Sequence, residues 1–341
     1  MQEGATEDYG EAARSDRRMH SRPFAVPPTV YVFIMIAAMW VSFGFHIRQD
    51  GIFACRADGY RHGYYLANCN AADYGDYDHA AIWLGIEREA VQQAVDADVL
   101  FIGNSRLQFG FATQATRDWF SRVGRKFYLL GFSGGDGAPF IAPLIKRIGP
   151  KARAYVVNVD RFFDDDISPP AAEAMFEESA MTRTLVKRAW QAPHAYFCGR
   201  APVLCRSEPA IYRRPETGEW AFTGRSPNYR IPRIDEPLDQ KQLTRDLARA
   251  EIFLNELPVA RSCVFFIYVY TNRSTRANAK ALADGVGVTF SSPLIDGLWT
   301  FDSSHLDPAS AEIFSKAVLE EIGGPLAKCA AGERLAAANS R

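Results

Sequence analysis

The chain predicts an α/β protein: a doubly wound, mostly parallel sheet covered by helices on both faces, behind one N-terminal transmembrane helix. Short apolar runs, such as VLFI at 99 to 102 and AYVVNV at 154 to 159, alternate with helical patterns at the spacing of βαβ units. Residues 26 to 47 contain no Asp, Glu, Lys or Arg. At 341 residues, 48% hydrophobic and 13% aromatic, the chain has enough apolar surface for a sizeable core. The formal net charge of -1 argues against a dedicated nucleic-acid binder, which needs a basic face to neutralise phosphates.

The apolar segment 26 to 47 is long enough for a helix to cross a hydrocarbon layer of about 30 Å, which takes about 20 residues. Arg14, Arg17, Arg18 and Arg22 precede it, while Arg48 and Asp50 follow, so the positive-inside rule places residues 1 to 25 in the cytoplasm and the rest outside. A cleaved signal peptide is the alternative, but no convincing small-x-small site follows the apolar run and the segment before it is long. The expected location is therefore the inner (cytoplasmic) membrane, single-pass, with the main domain extracytoplasmic.

Six cysteines suit that compartment. Cys55 with Cys69, and Cys198 with Cys205, form sequence-local pairs expected to be disulfides closing short loops. Neither has a zinc-site spacing. Cys263, inside CVFFIYVY, reads as a small buried hydrophobe, and Cys329 has no assignment.

Residues 48 to 78 read as a linker that carries the first cysteine pair. A domain over 79 to 325 follows, and 326 to 341 is a tail. Within the domain the pattern predicts helix over 79 to 97, strand over 99 to 102, helix over 115 to 123, strand over 126 to 130, helix over 138 to 148 and strand over 154 to 159. After an irregular stretch come helix over 238 to 256, strand over 263 to 270, helix over 274 to 284, a short strand near 286 to 290 and a last helix over 308 to 321.

Residues 161 to 237 interrupt the alternation, with a helix-like stretch over 171 to 191. An insertion after a strand's carboxyl end lies on the side where open α/β sheets bind ligands, so it is either a wall of the site or a surface elaboration. Asp164, Asp165 and Asp166 read as a capping and solvation feature before a helix rather than a metal site. Trp220, Phe222 and Tyr229 suit either stacking on sugars or ordinary packing.

The strand VLFI ends in Gly103, Asn104 and Ser105. In a parallel sheet that turn faces the binding crevice, but a serine is inert there without a base. The partner set lies in FDSSHLDPASAEIF, where Asp302 and His305 share a loop before a helix that starts at Pro308. A histidine that takes a serine proton needs a carboxylate to fix its tautomer, and Asp-x-x-His supplies both.

These motifs resemble the SGNH (GDSL-type) hydrolase family over about residues 99 to 322. GNS matches the family's Gly-Asp-Ser block with Ser105 as nucleophile, although Asn104 replaces the Asp. GFSGGDG at 131 to 137 lies where the family places its oxyanion-hole glycine, making Gly134 or Gly135 the candidate. VVNVD offers Asn158 for the amide of the Gly-x-Asn-Asp block, without the glycine and with the acid one residue late. Asp302 and His305 match the last block in full. The resemblance implies a three-layer, flavodoxin-like sandwich, a Ser105, Asp302, His305 triad and an oxyanion hole from the amides of Ser105 and Gly134 with Asn158; it implies no cofactor and no metal.

GFSGG also fits the Gly-x-Ser-x-Gly nucleophile elbow, which makes Ser133 a rival to Ser105. A single anchor bearing such a domain resembles the proteins that O-acylate exported polymers, in alginate acetylation and teichoic-acid D-alanylation. That resemblance implies an O-acetyltransferase acting on an exported glycan beside a multi-pass membrane-bound O-acyltransferase. A carbohydrate esterase with the same triad, and a non-catalytic subunit of an export complex, are the alternatives.

Overall fold

The structure is a computed structural model and describes residues 27–49, 51–60, 63–71, 73–223, 228–231, 237–269 and 276–332. The tail 1 to 25 with its four arginines, and Asp50, lie outside the described residues, as does the side chain of Arg48. The chain divides into two compact units, Met1–Phe45 and His46–Arg341. A 22-residue helix, Pro28–Gln49, covers the apolar segment, and Phe33, Met35 and Val41 on it are exposed. The side chains of 43 and 45–49 are not among those described, and among the described residues no helix is long and apolar enough to cross a membrane.

The larger unit is built on five parallel strands: β1 Val99–Asn104, β2 Phe127–Phe132, β3 Ala154–Asn158, β4 Val264–Ile267 and β5 Thr289–Ser291. Their order across the sheet is β2-β1-β3-β4-β5, and every pair is parallel. Each strand of the centre is apolar on successive residues because both faces are covered. Leu100, Ile102, Tyr155 and Val157 point into one core with the helices Ala138–Ile148, Gln240–Glu256 and Arg276–Val286. Val99, Phe101, Ala154 and Val156 point into the other, with the helices Ser105–Phe111, Gln114–Val123 and Pro308–Ala331. The period of two along each strand divides its side chains between the two cores.

The predicted helix over 79 to 97 is two helices, Asp78–Trp83 and Arg88–Asp96, parted at Gly85, whose φ is +69°. The last helix does not stop near 321 but runs to Ala331, taking in the start of the predicted tail. Gly323 lies within the extension: a Cβ there would stand 2.8 Å from the Trp119 indole nitrogen, so glycine lets this helix close onto its neighbour. That extension brings Cys329 to Cys263. The two form a third disulfide, beside Cys55–Cys69 and Cys198–Cys205, so Cys263 is a cross-link rather than a lone hydrophobe.

The segment 48 to 78 is no free linker. Tyr65–Cys69 joins Ala210–Arg213 and Trp220–Thr223 of the insertion in an antiparallel sheet. Arg213 locks this sheet to the edge of β2. Its guanidinium, wholly buried, uses all five donors: Nε and NH2 on the Asp78 carboxylate, NH1 on the Leu129 and Gly218 carbonyls, and NH2 again on Gly131. The otherwise open edge of β2 is thus capped by the insertion. The acid run at 164 to 166 does not cap the following helix, Pro169–Phe176; Ser168 does, accepting from the Ala171 N–H. Arg161 pairs with Asp164 and Asp166, and Arg249 with Asp165.

Candidate active site

Strand order reverses at β1: the chain goes to β2 on one side and then crosses to β3 on the other. The crevice outside the carboxyl ends of β1 and β3 is where such sheets hold ligands. Gly103, at φ +155°, lets β1 run tight against β3, since a Cβ there would stand 3.0 Å from that of Asn158. The Asn104 side chain then accepts from the Arg106 N–H at 3.0 Å and caps the helix that Ser105 begins. Ser105 therefore presents both its hydroxyl and a first-turn N–H, which has no intrahelical acceptor.

The opposing loop is held from both ends. The Phe301 N–H donates to the His305 carbonyl and the Asp307 N–H to that of Trp299, each at 3.0 Å. Trp299–Thr300 also pairs with Tyr229–Arg230 of the insertion. Ser303 takes the left-handed conformation, φ +66°, that turns the loop back on itself. As a result Asp302 Oδ1 accepts from the N–H groups of Ser304 (3.0 Å) and His305 (2.8 Å), and Oδ2 lies 2.7 Å from His305 Nδ1. Partial burial would raise the Asp302 carboxyl, but the hydrogen bond and charge of His305, with the two backbone donors, hold it below the usual range. An ionised Asp302 only accepts, so Nδ1 carries the proton and Nε2 has its lone pair free. His305 Nε2 lies 2.7 Å from Ser105 Oγ.

Aromatic packing fixes the imidazole ring. Phe301 stacks against His305 at 5.6 Å between centroids and Phe109 meets it edge-on at 4.8 Å. Phe222 stacks on Phe301, and Trp220 packs against Phe109. Trp220 is buried, so it supports the site as packing rather than as a sugar platform, whereas Tyr229 is exposed.

Arg106, next to the serine, bridges the two halves. Its Nε and NH2 each lie 3.2 Å from Ser304 Oγ, and NH1 pairs with Asp160. Asp160 also accepts from the Asn104 amide at 3.2 Å. The acid displaced by one residue after β3 is thus a support for the serine turn. Sequence reasoning noted its offset without this role; the arginine beside the serine was the signal.

Asn158 does not face the crevice. It is fully buried, its amide donates to Asn104 Oδ1 and its oxygen accepts from the Val269 N–H, both at 3.2 Å. The expected side-chain donor of an oxyanion hole is thus the last, buried residue of β3, with both ends of its amide already engaged. Gly134 and Gly135 both have left-handed φ, +77° and +82°, in the loop that leaves β2 beside Ser105. The register pairs Asn104 with Phe132, so Ser105 and Ser133 leave adjacent strands at the same level.

Ser133 Oγ donates to Asp76 Oδ2 at 2.8 Å. No imidazole contacts that hydroxyl among the described hydrogen bonds. Asp76 Oδ1 instead lies 2.9 Å from His79 Nδ1, and His79 Nε2 lies 2.8 Å from Asp136, which accepts from the Ser168 N–H and Oγ. Burial would push the His79 imidazole down, yet the Asp76 charge and the hydrogen bonds the ring donates to both acids push it up to about 10. Burial would raise Asp76, but the His79 charge with hydrogen bonds from His79 and Asn68 holds it well below the usual range. A carboxylate so stabilised is a poor base, so Ser133 lacks what Ser105 has. This cluster moors the glycine loop: Asp136 belongs to it, and the Ser168 side chain packs on Gly134. Its members were not legible as a group, because His79 and Asp136 are 57 residues apart.

The chain matches no family model, no curated protein and no solved structure.

Proposed function

We propose that this protein is a membrane-anchored, extracytoplasmic O-acyltransferase, most simply an O-acetyltransferase, that modifies an exported glycan through an acyl-serine intermediate. The observation that carries the reading is the unbroken hydrogen-bond chain from Ser105 through His305 to Asp302, 2.7 Å at each link. Three disulfides agree with an oxidising compartment. The helix Pro28–Gln49 spans about 33 Å at 1.5 Å per residue, and its exposed apolar side chains suit a lipid surrounding.

In the proposed reaction His305 Nε2 takes the Ser105 proton while Oγ bonds to the acyl carbonyl carbon of the donor. Asp302 stabilises the imidazolium that forms. The N–H groups of Ser105 and Gly134 hold the developing oxyanion, and the imidazolium returns its proton to the departing donor oxygen. The acceptor hydroxyl then attacks the acyl-serine carbonyl, giving its proton to His305, which passes it to Ser105 Oγ as the ester bond to the serine breaks. The donor is an acyl group delivered by a multi-pass membrane-bound O-acyltransferase, and the acceptor a polysaccharide hydroxyl.

The test uses the full chain in detergent, acylated with p-nitrophenyl acetate, with and without oligosaccharide acceptors. Acetyl transfer to the glycan, with turnover faster than in water alone, is the expected result. Turnover to water unchanged by any glycan would make the protein an esterase; no acylation would remove the enzymatic reading.

A further inference from the structure

The helix Ala180–Arg200 has two apolar sides. Its inner side, Ala180, Thr184, Gln191, His194 and Cys198, recurs at helical spacing and is buried against the body of the unit. Its outer side is also apolar: Leu185, Val186, Trp190, Tyr196 and Phe197 are between 38% and 53% exposed. At 100° per residue these five fall within one half of the helix surface. The following turn adds Val203, at 76% exposed. A run of exposed aliphatic and aromatic side chains on one face is more than scattered surface apolarity.

Two further facts point to what covers it. The helix has no Asp or Glu; Arg183 pairs with Glu173 and Glu177, Arg188 with Glu87, and Lys187 donates to the Asp76 carbonyl, which leaves Arg200 as the cation on the outer side. It is also where the chain enters the unit: Phe53 packs edge-on against Trp190, with ring centroids 6.2 Å apart. Phe53 follows Gln49, the last residue of the helix Pro28–Gln49, by four positions, which span at most about 14 Å even fully extended. If that helix is the anchor, the Trp190 face cannot stand far from the bilayer.

We infer that the outer face of Ala180–Arg200 lies in the headgroup region of the membrane, with its apolar side chains at the acyl boundary and Arg200, at the end of the same face, among the lipid phosphates. An exposed apolar face without acidic residues is the pattern of a helix that lies in the interface plane. Arg200, whose guanidinium lies 3.9 Å from the Tyr196 ring centre, pairs a cation with an aromatic in the way that suits this depth. The inference rests on the anchor reading above.

The test is tryptophan quenching in the full chain, reconstituted in nanodiscs of phosphatidylglycerol and phosphatidylcholine with or without brominated acyl chains. Trp190→Phe isolates the signal of Trp190 by difference, and Trp40→Phe isolates that of Trp40 within the anchor. The inference expects brominated lipid to remove at least half of the Trp190 signal, with Leu185→Glu/Val186→Glu reducing that loss at least twofold. A quenched Trp40 beside an unquenched Trp190 would overturn the inference alone and leave a protein partner as the cover of this face. Trp40 and Trp190 both unquenched would overturn the anchor reading as well.

Discussion

Replacing His79 by glutamine removes the imidazole that bridges two buried carboxylates, Asp76 and Asp136. In the folded protein the imidazole is held at about 10, against 6.5 for an unperturbed histidine. The folded value lies above the unfolded one, so the folded state binds the extra proton, and the stabilisation is fully present below pH 6.5. It declines as pH rises and is gone above about 10. At about 1.4 kcal/mol per pH unit, the whole contribution is on the order of 5 kcal/mol, and about 3 kcal/mol is lost between pH 7 and 9. The Asp76 shift reflects the same pair and is not added to it. Urea unfolding of the detergent-solubilised chain at a series of pH values measures this. Wild-type stability should fall across that window, and His79→Gln should be less stable at pH 7 with the wild-type slope removed. A wild-type stability flat from pH 7 to 9, or a variant falling in parallel with it, would refute the reasoning.

Asp302→Asn keeps the loop shape but offers His305 Nδ1 an amide in place of a carboxylate; the acylation rate should fall about 10⁴-fold with unchanged unfolding midpoint, measured by the burst of p-nitrophenol. Arg106→Lys replaces the fork on Ser304 and Asp160 with a point charge; misplacement of the serine turn against His305 should cost about 10²-fold in kcat with KM nearly unchanged. The Cys263–Cys329 disulfide closes a loop with a sequence separation of 66, worth about 4 kcal/mol in the chain-entropy model, so the double serine variant should unfold at markedly lower urea concentration while its burst rate per folded molecule is kept.

The central strands were legible because a parallel strand covered on both faces must be apolar at successive residues, as VLFI and AYVVNV are. Their order was not, since nothing local states which strand is a neighbour. Ser105, Asp302 and His305 were legible for a similar reason: each stands in a short motif at a strand end or helix start. What failed depended on contacts far apart in sequence. The pattern ends the last helix at 321, whereas it runs on to Ala331 with Gly323 packed against Trp119, and with the end misplaced Cys329 had no partner. Residues 48 to 78 looked weakly patterned because their strand pairs with one about 145 residues later, Tyr65 with Arg213 for instance. Asn158 matched a motif by type while its depth, set by where β3 ends, put it under the crevice floor.

The most direct test of the account is intact-mass analysis of the full chain after brief exposure to p-nitrophenyl acetate, with wild type, Ser105→Ala and Ser133→Ala side by side. The geometry predicts one acetyl adduct on the wild type and on Ser133→Ala, mapped to the peptide that contains Ser105, and none on Ser105→Ala. An adduct that persists in Ser105→Ala and disappears in Ser133→Ala would contradict the assignment of the nucleophile.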